Sequence, residues 1–255
     1  MVGFLGLTPR RIAAEPPLET GTIKLRQLVP GGFYGVQDFL AEDLLKAEGF
    51  TDVRWVNVAG PGLQGTSKAL ASGEIDFNIQ FAGSYIVAVD AGDPIVLLAG
   101  IHVGSYELFA AEHVRTIRAL KGKSVAVREL GSGRHLFFAS ALRYVGLDPG
   151  KDVTRITQPT KESMQLFTDG KIDAYMGFPP EPQELRTKKI GHVVLNSTAE
   201  RPWSQFFCCR LAGNKEFVRK HPGATKRVLR PSARRRCAPA CSRCCGYSAH
   251  PHGWR

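Results

Sequence analysis

The chain has 255 residues, 43% hydrophobic and 22% charged, with a formal net charge of +11. That length can bury a sizeable core in one or two domains, and no apolar run approaches the ~20 residues of a membrane-spanning helix. The charge does not mark a nucleic-acid binder: residues 21–213 hold 21 Lys and Arg against 20 Asp and Glu, while residues 214–255 hold 11 against the single acid Glu216. A nucleic-acid-binding body carries its basic stripe on a recognisable element, and this body is balanced. No cysteine precedes Cys208, which excludes a disulfide framework for the body.

The first 20 residues admit two readings. The apolar Val2–Leu7 stretch, the small pair Ala13-Ala14 and the Pro16-Pro17 start fit the trailing part of a secretory signal. They equally fit a disordered N-terminal tail. From residue 22 onward strands and helices alternate. A strand is predicted over 22–29, and a helix over 34–47 with Phe39, Leu40, Leu44 and Leu45 at helical spacing. A strand over 53–58 and a helix over 63–72 follow. Then come a strand over 75–80, a helix over 84–90 and a strand over 95–99.

A second cycle has strands over 106–111 and 124–128, a helix over 133–144 and a strand over 153–157. A helix over 161–169, a strand over 172–176, a helix over 181–188 and a strand over 192–195 complete it. Residues 206–211 read as extended, and 215–220 as the start of a helix. Alternation of this kind implies mostly parallel sheets with helices on both faces. The break at 100–105 predicts a passage from a first lobe to a second, and residues 199–211 the return; two crossings make a hinge.

One element occurs twice. Gly73-x-Ile75-Asp76 and Gly170-x-Ile172-Asp173 lie 97 positions apart, each after a helix-like stretch and before an apolar run. That spacing is too long for a solenoid repeat and fits two similar α/β lobes with a ligand-holding cleft between them. The glycines are expected to stop helices, the isoleucines to enter cores, and the aspartates to hold turns through side chain–backbone bonds.

The ordered series of Gly-x-Ile-Asp, Ala91-Gly92-Asp93-Pro94, Leu120-Lys121-Gly122-Lys123-Ser124-Val125-Ala126-Val127 and the second Gly-x-Ile-Asp resembles the substrate-binding proteins of bacterial ABC importers. The branch it resembles is the nitrate/sulfonate/taurine group, which includes pyrimidine-precursor binders. The likeness covers about residues 22–230. It implies an α/β, two-lobed type II periplasmic-binding fold with lobe 1 over 21–104, lobe 2 over 105–205, and a return crossing with helices over 206–230. It implies a solute carrier for a small polar or anionic ligand (sulfonate, nitrate, carboxylate or pyrimidine type), without catalysis or cofactor. Its partners are then a small-molecule solute and an importer permease at the membrane, not nucleic acid; the carrier itself is monomeric and periplasmic or otherwise extracytoplasmic. Members of the family continue with further helices that complete lobe 1, so the resemblance also predicts a shortened lobe 1 with apolar surface left exposed.

Ligands in doubly wound sheets lie beyond the carboxyl ends of the strands, at helix N-termini. Pro30–Tyr34 offers Phe33 and Tyr34 as an apolar wall with a hydroxyl, or as core aromatics at a turn. Residues 61–66 bring Gln64, Gly65 and Thr66 to a helix start whose free N–H groups suit an anion; Thr66 and Ser67 equally read as capping residues. Gln80 and Phe81 follow the first repeat's strand, and Gln80 can donate and accept. Ser105 stands at the first crossing.

In lobe 2 the turn Gly131-Ser132-Gly133-Arg134 combines helix dipole, hydroxyl and guanidinium for an anion, against the plainer role of Ser132 as a cap. Phe178 and Glu181 occupy the matching place after the second repeat; Glu181 suits a ligand cation or, as a first-turn acid, the helix itself.

Two other function classes compete. A desulfinase-type enzyme on this fold needs a cleft cysteine, and none precedes Cys208. A pyrimidine-precursor synthase carries a late cysteine cluster, whose region here holds Phe206-Phe207-Cys208-Cys209-Arg210; in a buried strand these two cysteines act as small hydrophobes. A ligand-sensing module would need an attached signalling segment. Residues 231–255 contain no Leu, Ile, Val, Phe or Met and are expected to be disordered. Cys237, Cys241, Cys244 and Cys245 with His250 and His252 have zinc-like spacing, while the composition is that of a GC-rich gene read in a wrong frame.

Overall fold

The computed structural model describes residues 15–27, 42–58 and 62–236; the side chains of 62–64 and 231–236 are left aside. Two five-stranded sheets form the frame. In chain order the first cycle holds β1 (Thr22–Arg26), β2 (Asp52–Val56), α1 (Gly62–Ser72), β3 (Phe77–Phe81), α2 (Ala82–Asp90) and β4 (Ile95–Val103). The second holds β5 (Glu107–Ala110), β6 (Lys123–Ala126), α3 (Gly133–Tyr144), β7 (Val153–Ile156), α4 (Thr160–Thr168), β8 (Ala174–Gly177), α5 (Glu181–Thr187) and β9 (His192–Asn196). The chain then returns through β10 (Phe207–Asn214), α6 (Lys215–Lys220) and α7 (Pro222–Arg236). Among the described residues no helix is long and apolar enough to cross a membrane.

The sheets share one plan. The first runs β2-β1-β3-β10-β4 and the second β7-β6-β8-β5-β9. In each, a parallel trio comes first, and the fourth strand is antiparallel to both neighbours. That reversed strand is the one each sheet receives from a crossing: β5 enters the second sheet directly after β4, and β10 re-enters the first. The crossings touch. Gly104 has φ +78 and abuts Thr198, whose Cα would lie 2.7 Å from an added Cβ, so only glycine fits there. The Tyr106 N–H donates to Ser197 Oγ at 2.9 Å, and the Ser197 N–H and hydroxyl return bonds to the Tyr106 carbonyl.

Alternation with period two puts apolar side chains on both faces. In β10, Leu211 joins Ile23, Phe50 and Phe77 on one face, and Ala212 joins Leu70, Ile75 and Tyr85 on the other. In β8, Met176 and Ala174 face Leu108 and Phe138, while Tyr175 faces Phe109 and Phe167.

The repeated motif has the same bonds in each sheet. Gly73 and Gly170 adopt φ +77 and +67 and end α1 and α4. Ile75 and Ile172 are buried. The Asp76 carboxylate accepts the Lys24 N–H at 2.7 Å, and its own N–H donates to the Lys24 carbonyl at 2.8 Å. The Asp173 carboxylate accepts the Ser124 N–H at 2.8 Å, and its N–H donates to the Ser124 carbonyl at 3.1 Å. The side chain–backbone bonds are those expected, but each clamps the neighbouring parallel strand and not a turn, because the aspartate lies level with Lys24 of β1 or Ser124 of β6.

Several boundaries move. β4 runs on to Val103 and β10 to Asn214, since each supplies the other's ladder. α7 continues to Arg236, past the residue-230 limit set by composition. The Glu19 carboxylate accepts the Gly223 and Ala224 N–H groups at its first turn, a cap no local pattern announces. The predicted helix over 34–47 is seen from residue 42. Residues 1–14 and 237–255, with the signal-like start and the Cys/His segment, lie outside the described residues.

Candidate ligand site between the sheets

The sheets meet where α2 and α3 begin. A Cβ added to Gly83 would lie 3.2 Å from Leu136 Cβ, and one added to Gly133 only 2.5 Å from the Phe81 ring. Glycine at both places lets the two helix starts approach. Phe81, from the first sheet, meets Phe178 edge-on at 5.3 Å and Tyr106 at 5.4 Å. Tyr106 stacks on Phe137 at 4.8 Å, and Phe137 meets Trp203 at 5.3 Å. This continuous aromatic wall borders a cavity of about 680 Å³ that also touches Gly104, Cys208 and Arg210, with Ile86 and Phe206 exposed at its rim.

On the second-sheet side the charges are spent on each other. Arg134 donates to Glu181 in a fork, Nη1 to Oε2 at 2.6 Å and Nη2 to Oε1 at 2.8 Å. Each residue is 7% exposed. Glu181 Oε2 also accepts the Phe178 N–H at 3.0 Å, and the guanidinium lies over the Phe178 ring, 5.8 Å from its centroid. Burial alone would pull the Arg134 pKa down; the Glu181 hydrogen bonds and charge outweigh it and hold it up. Burial, with the Glu181 charge, pushes the neighbouring Tyr175 hydroxyl up. Ser132 is committed as well: its Oγ accepts the His135 N–H at 3.3 Å and donates to the Glu129 carbonyl at 2.7 Å. The start of α3 at Gly133 lies under the Phe81 ring. The residues read as a ligand's anion and cation contacts are therefore brought together, but as a buried ion pair and a helix cap.

The first-sheet side is different. Gln80 Nε2 donates to Ser67 Oγ at 2.8 Å, while Gln80 Oε1, Thr66 Oγ1 and Ser84 Oγ are buried with no hydrogen-bond partner among the described residues. Such orphaned groups are costly without a partner. They come from the second turn of α1, the end of β3 and the first turn of α2. Gly65 lies half-buried in α1 beside them. Thr66 and Gln80 were legible as candidates; Ser84 was only implied by the segment that holds Gln80.

Ser105 lies on the first crossing with φ +85, rare for a residue other than glycine. Its hydroxyl is 3.4 Å from His102 Nδ1. Phe33 and Tyr34 lie outside the described residues, as does the Gln64 side chain. Sequence reasoning missed Phe137 and Trp203, whose spacing reads as ordinary core, and His102, whose neighbours Cys208 and Cys209 lie more than a hundred positions away.

The sequence pattern of the NMT1-like family matches residues 15–236. The bicarbonate-binding protein CmpA of Synechococcus elongatus is 30% identical over 86 residues, which span 33% of this chain and 18% of that protein. Among solved structures, the alkanesulfonate-binding protein SsuA from Xanthomonas axonopodis pv. citri, bound to MOPS, superposes with a TM-score of 0.64 at 19% identity, over 88% of this chain and 74% of that one. The periplasmic nitrate-binding protein NrtA from Synechocystis PCC 6803 superposes with a TM-score of 0.66 at 18% identity, over 91% of this chain and 66% of that one. These likenesses establish a shared two-lobed periplasmic-binding fold, and with the family pattern running through both sheets the chain belongs to the NMT1-like family.

Proposed function

We propose that the chain is the solute-binding component of an ABC importer, holding a small polar or anionic solute between its two sheets and releasing it unchanged to a membrane permease. The observation that carries this reading is the set of three buried oxygens without a hydrogen-bond partner among the described residues: Thr66 Oγ1 in α1, Gln80 Oε1 at the end of β3 and Ser84 Oγ in the first turn of α2. A ligand whose oxygens accept from the Thr66 and Ser84 hydroxyls, and which offers an N–H or O–H to the Gln80 carbonyl, satisfies them, assisted by the free backbone donors of a helix start. The names of the similar proteins, binders of bicarbonate, alkanesulfonate and nitrate, support a solute of that class and an extracytoplasmic place of work. The carrier acts as a monomer, and closing of the lobes about the crossings at 104–106 and 197–206 is the step a permease senses.

The test is a thermal-shift screen of the full chain against nitrate, bicarbonate, short alkanesulfonates, carboxylates and pyrimidines. A ligand at a hundredfold excess over its Kd stabilises by about 2.7 kcal/mol, so a true solute raises the melting temperature, and Gln80→Leu removes the rise. No shift across the panel overturns the reading.

A further inference from the structure

The two strands that join the sheets carry a cluster the solute site does not use. In the β4–β10 ladder Cys209 stands opposite His102, and the register shifts between Phe207 and Cys209 and again between Cys209 and Arg210. In a regular strand, Cys208 and Cys209 would point to opposite faces. The irregular ladder is a bulge, a feature that re-aims side chains. Here it sets the two Sγ atoms 3.9 Å apart, and with a ring nitrogen of His102 they all lie within 4.8 Å of one another. Neither cysteine is in a disulfide.

The imidazole is prepared in the same sense. Its Nδ1 lies 3.4 Å from both the Val103 carbonyl and the Ser105 hydroxyl, and the carbonyl can accept a proton carried on Nδ1. Among the described residues Nε2 is buried with no hydrogen-bond partner, so with the proton on Nδ1 its lone pair is open to a ligand. A histidine that binds metal commonly donates its other N–H to a carbonyl in this way.

We propose that His102 Nε2, Cys208 Sγ and Cys209 Sγ form a site for one thiophilic divalent ion of the zinc class, at the hinge. Metal–sulfur bonds of ~2.3 Å in tetrahedral geometry put two sulfurs ~3.8 Å apart, close to the separation found. Two thiolates and an imidazole select zinc-like ions over magnesium or calcium. Binding forms two metal–thiolate bonds and one metal–nitrogen bond, and releases the two S–H protons to solvent; nothing is oxidised or reduced. The resulting 2+ ion with two thiolates is neutral, which suits a buried place. Cys208 borders the interlobe cavity, so the fourth position opens there. The ion would tie the outgoing strand to the returning one, independently of which solute the lobes hold.

The experiment uses the full chain, reduced and metal-free, with Cys237, Cys241, Cys244 and Cys245 changed to Ser so that they cannot compete. Titration with Zn²⁺ is expected to give one ion per chain and a raised melting temperature. Co²⁺ should give tetrahedral d–d bands and a charge-transfer band sized for two cobalt–sulfur bonds. Cys208→Ser should halve that band and weaken binding by more than the ~10–100-fold lost with an outer-shell partner. His102→Gln should weaken binding and leave the charge-transfer band in place. No stoichiometric ion, or a Co²⁺ spectrum unchanged by Cys208→Ser, overturns the proposal. Cys208 is chosen because it is only partly buried; should that variant fail to fold, the number of cobalt–sulfur bonds in the parent spectrum still decides.

Discussion

The two segments that follow the repeated Gly-x-Ile-Asp occupy equivalent places and have been put to opposite use. After β8, Glu181 is fully engaged with Arg134 and the Phe178 N–H. At the end of β3 and the start of α2, Gln80 Oε1 and Ser84 Oγ are buried with no hydrogen-bond partner among the described residues, as is Thr66 Oγ1. One side is thus self-satisfied; on the other, polar groups remain for the proposed solute to answer. The same fold position can be internally satisfied or left with open polar groups, and local hydrogen-bond accounting, not position, distinguishes them.

The sharpest way to break this contrast is Arg134→Ala. Leaving Glu181 buried and unpaired is expected to cost about 3–5 kcal/mol in denaturant unfolding, whereas the apolar double change Arg134→Met with Glu181→Leu stays near the parent stability. An equal loss in single and double variants would show that the pair is not acting as a pair. On the other wall, Thr66→Val removes an orphaned hydroxyl at constant shape. Its unfolding free energy should hold or rise slightly, while solute affinity falls by a factor corresponding to the ~0.5–1.5 kcal/mol of a typical hydrogen bond, read by calorimetric titration. A clear stability loss would mean that Thr66 is already satisfied and not open to a solute.

The smallest effect is a difference in pH dependence between the paired aspartates. Burial raises the Asp76 pKa and outweighs its Lys24 bonds. Burial also acts on Asp173, but the Ser124 hydrogen bonds and His113 outweigh it and lower its pKa. The Asp173 contribution is therefore present above the ordinary carboxylate range and lost as pH falls through its lowered value. The Asp76 contribution is present below that range and lost as pH rises through its raised value. Asp173→Asn should flatten the acid limb of stability against pH, and Asp76→Asn should not; identical limbs would erase the distinction.

Much of the frame could be read from the chain. The bounds of α3 coincide with prediction residue for residue, because Gly131-Ser132-Gly133 supplies a turn and a cap in the local pattern. The repeat gave the two lobes because its Gly and Ile obey local rules of helix ending and core entry. What escaped were pairings between distant residues. Arg134 and Glu181 each looked available because nothing in sequence joins positions 47 apart. The His102–Cys208–Cys209 group escaped for a second reason: a bulge breaks the two-residue period on which strand reading depends, so adjacent thiols that alternate on paper converge in space.

The insertion of β10 between β3 and β4 has a consequence for the order of assembly. The second sheet is drawn from one unbroken stretch, Glu107 through Asn196, and can close once that stretch exists. The first sheet cannot: its third and fifth strands have no shared ladder until residues 207–214 arrive between them. Loop closure over such separations is slow relative to local contacts. Closing the first sheet therefore requires residues 207–214, and the strand that closes it also carries Cys208 and Cys209.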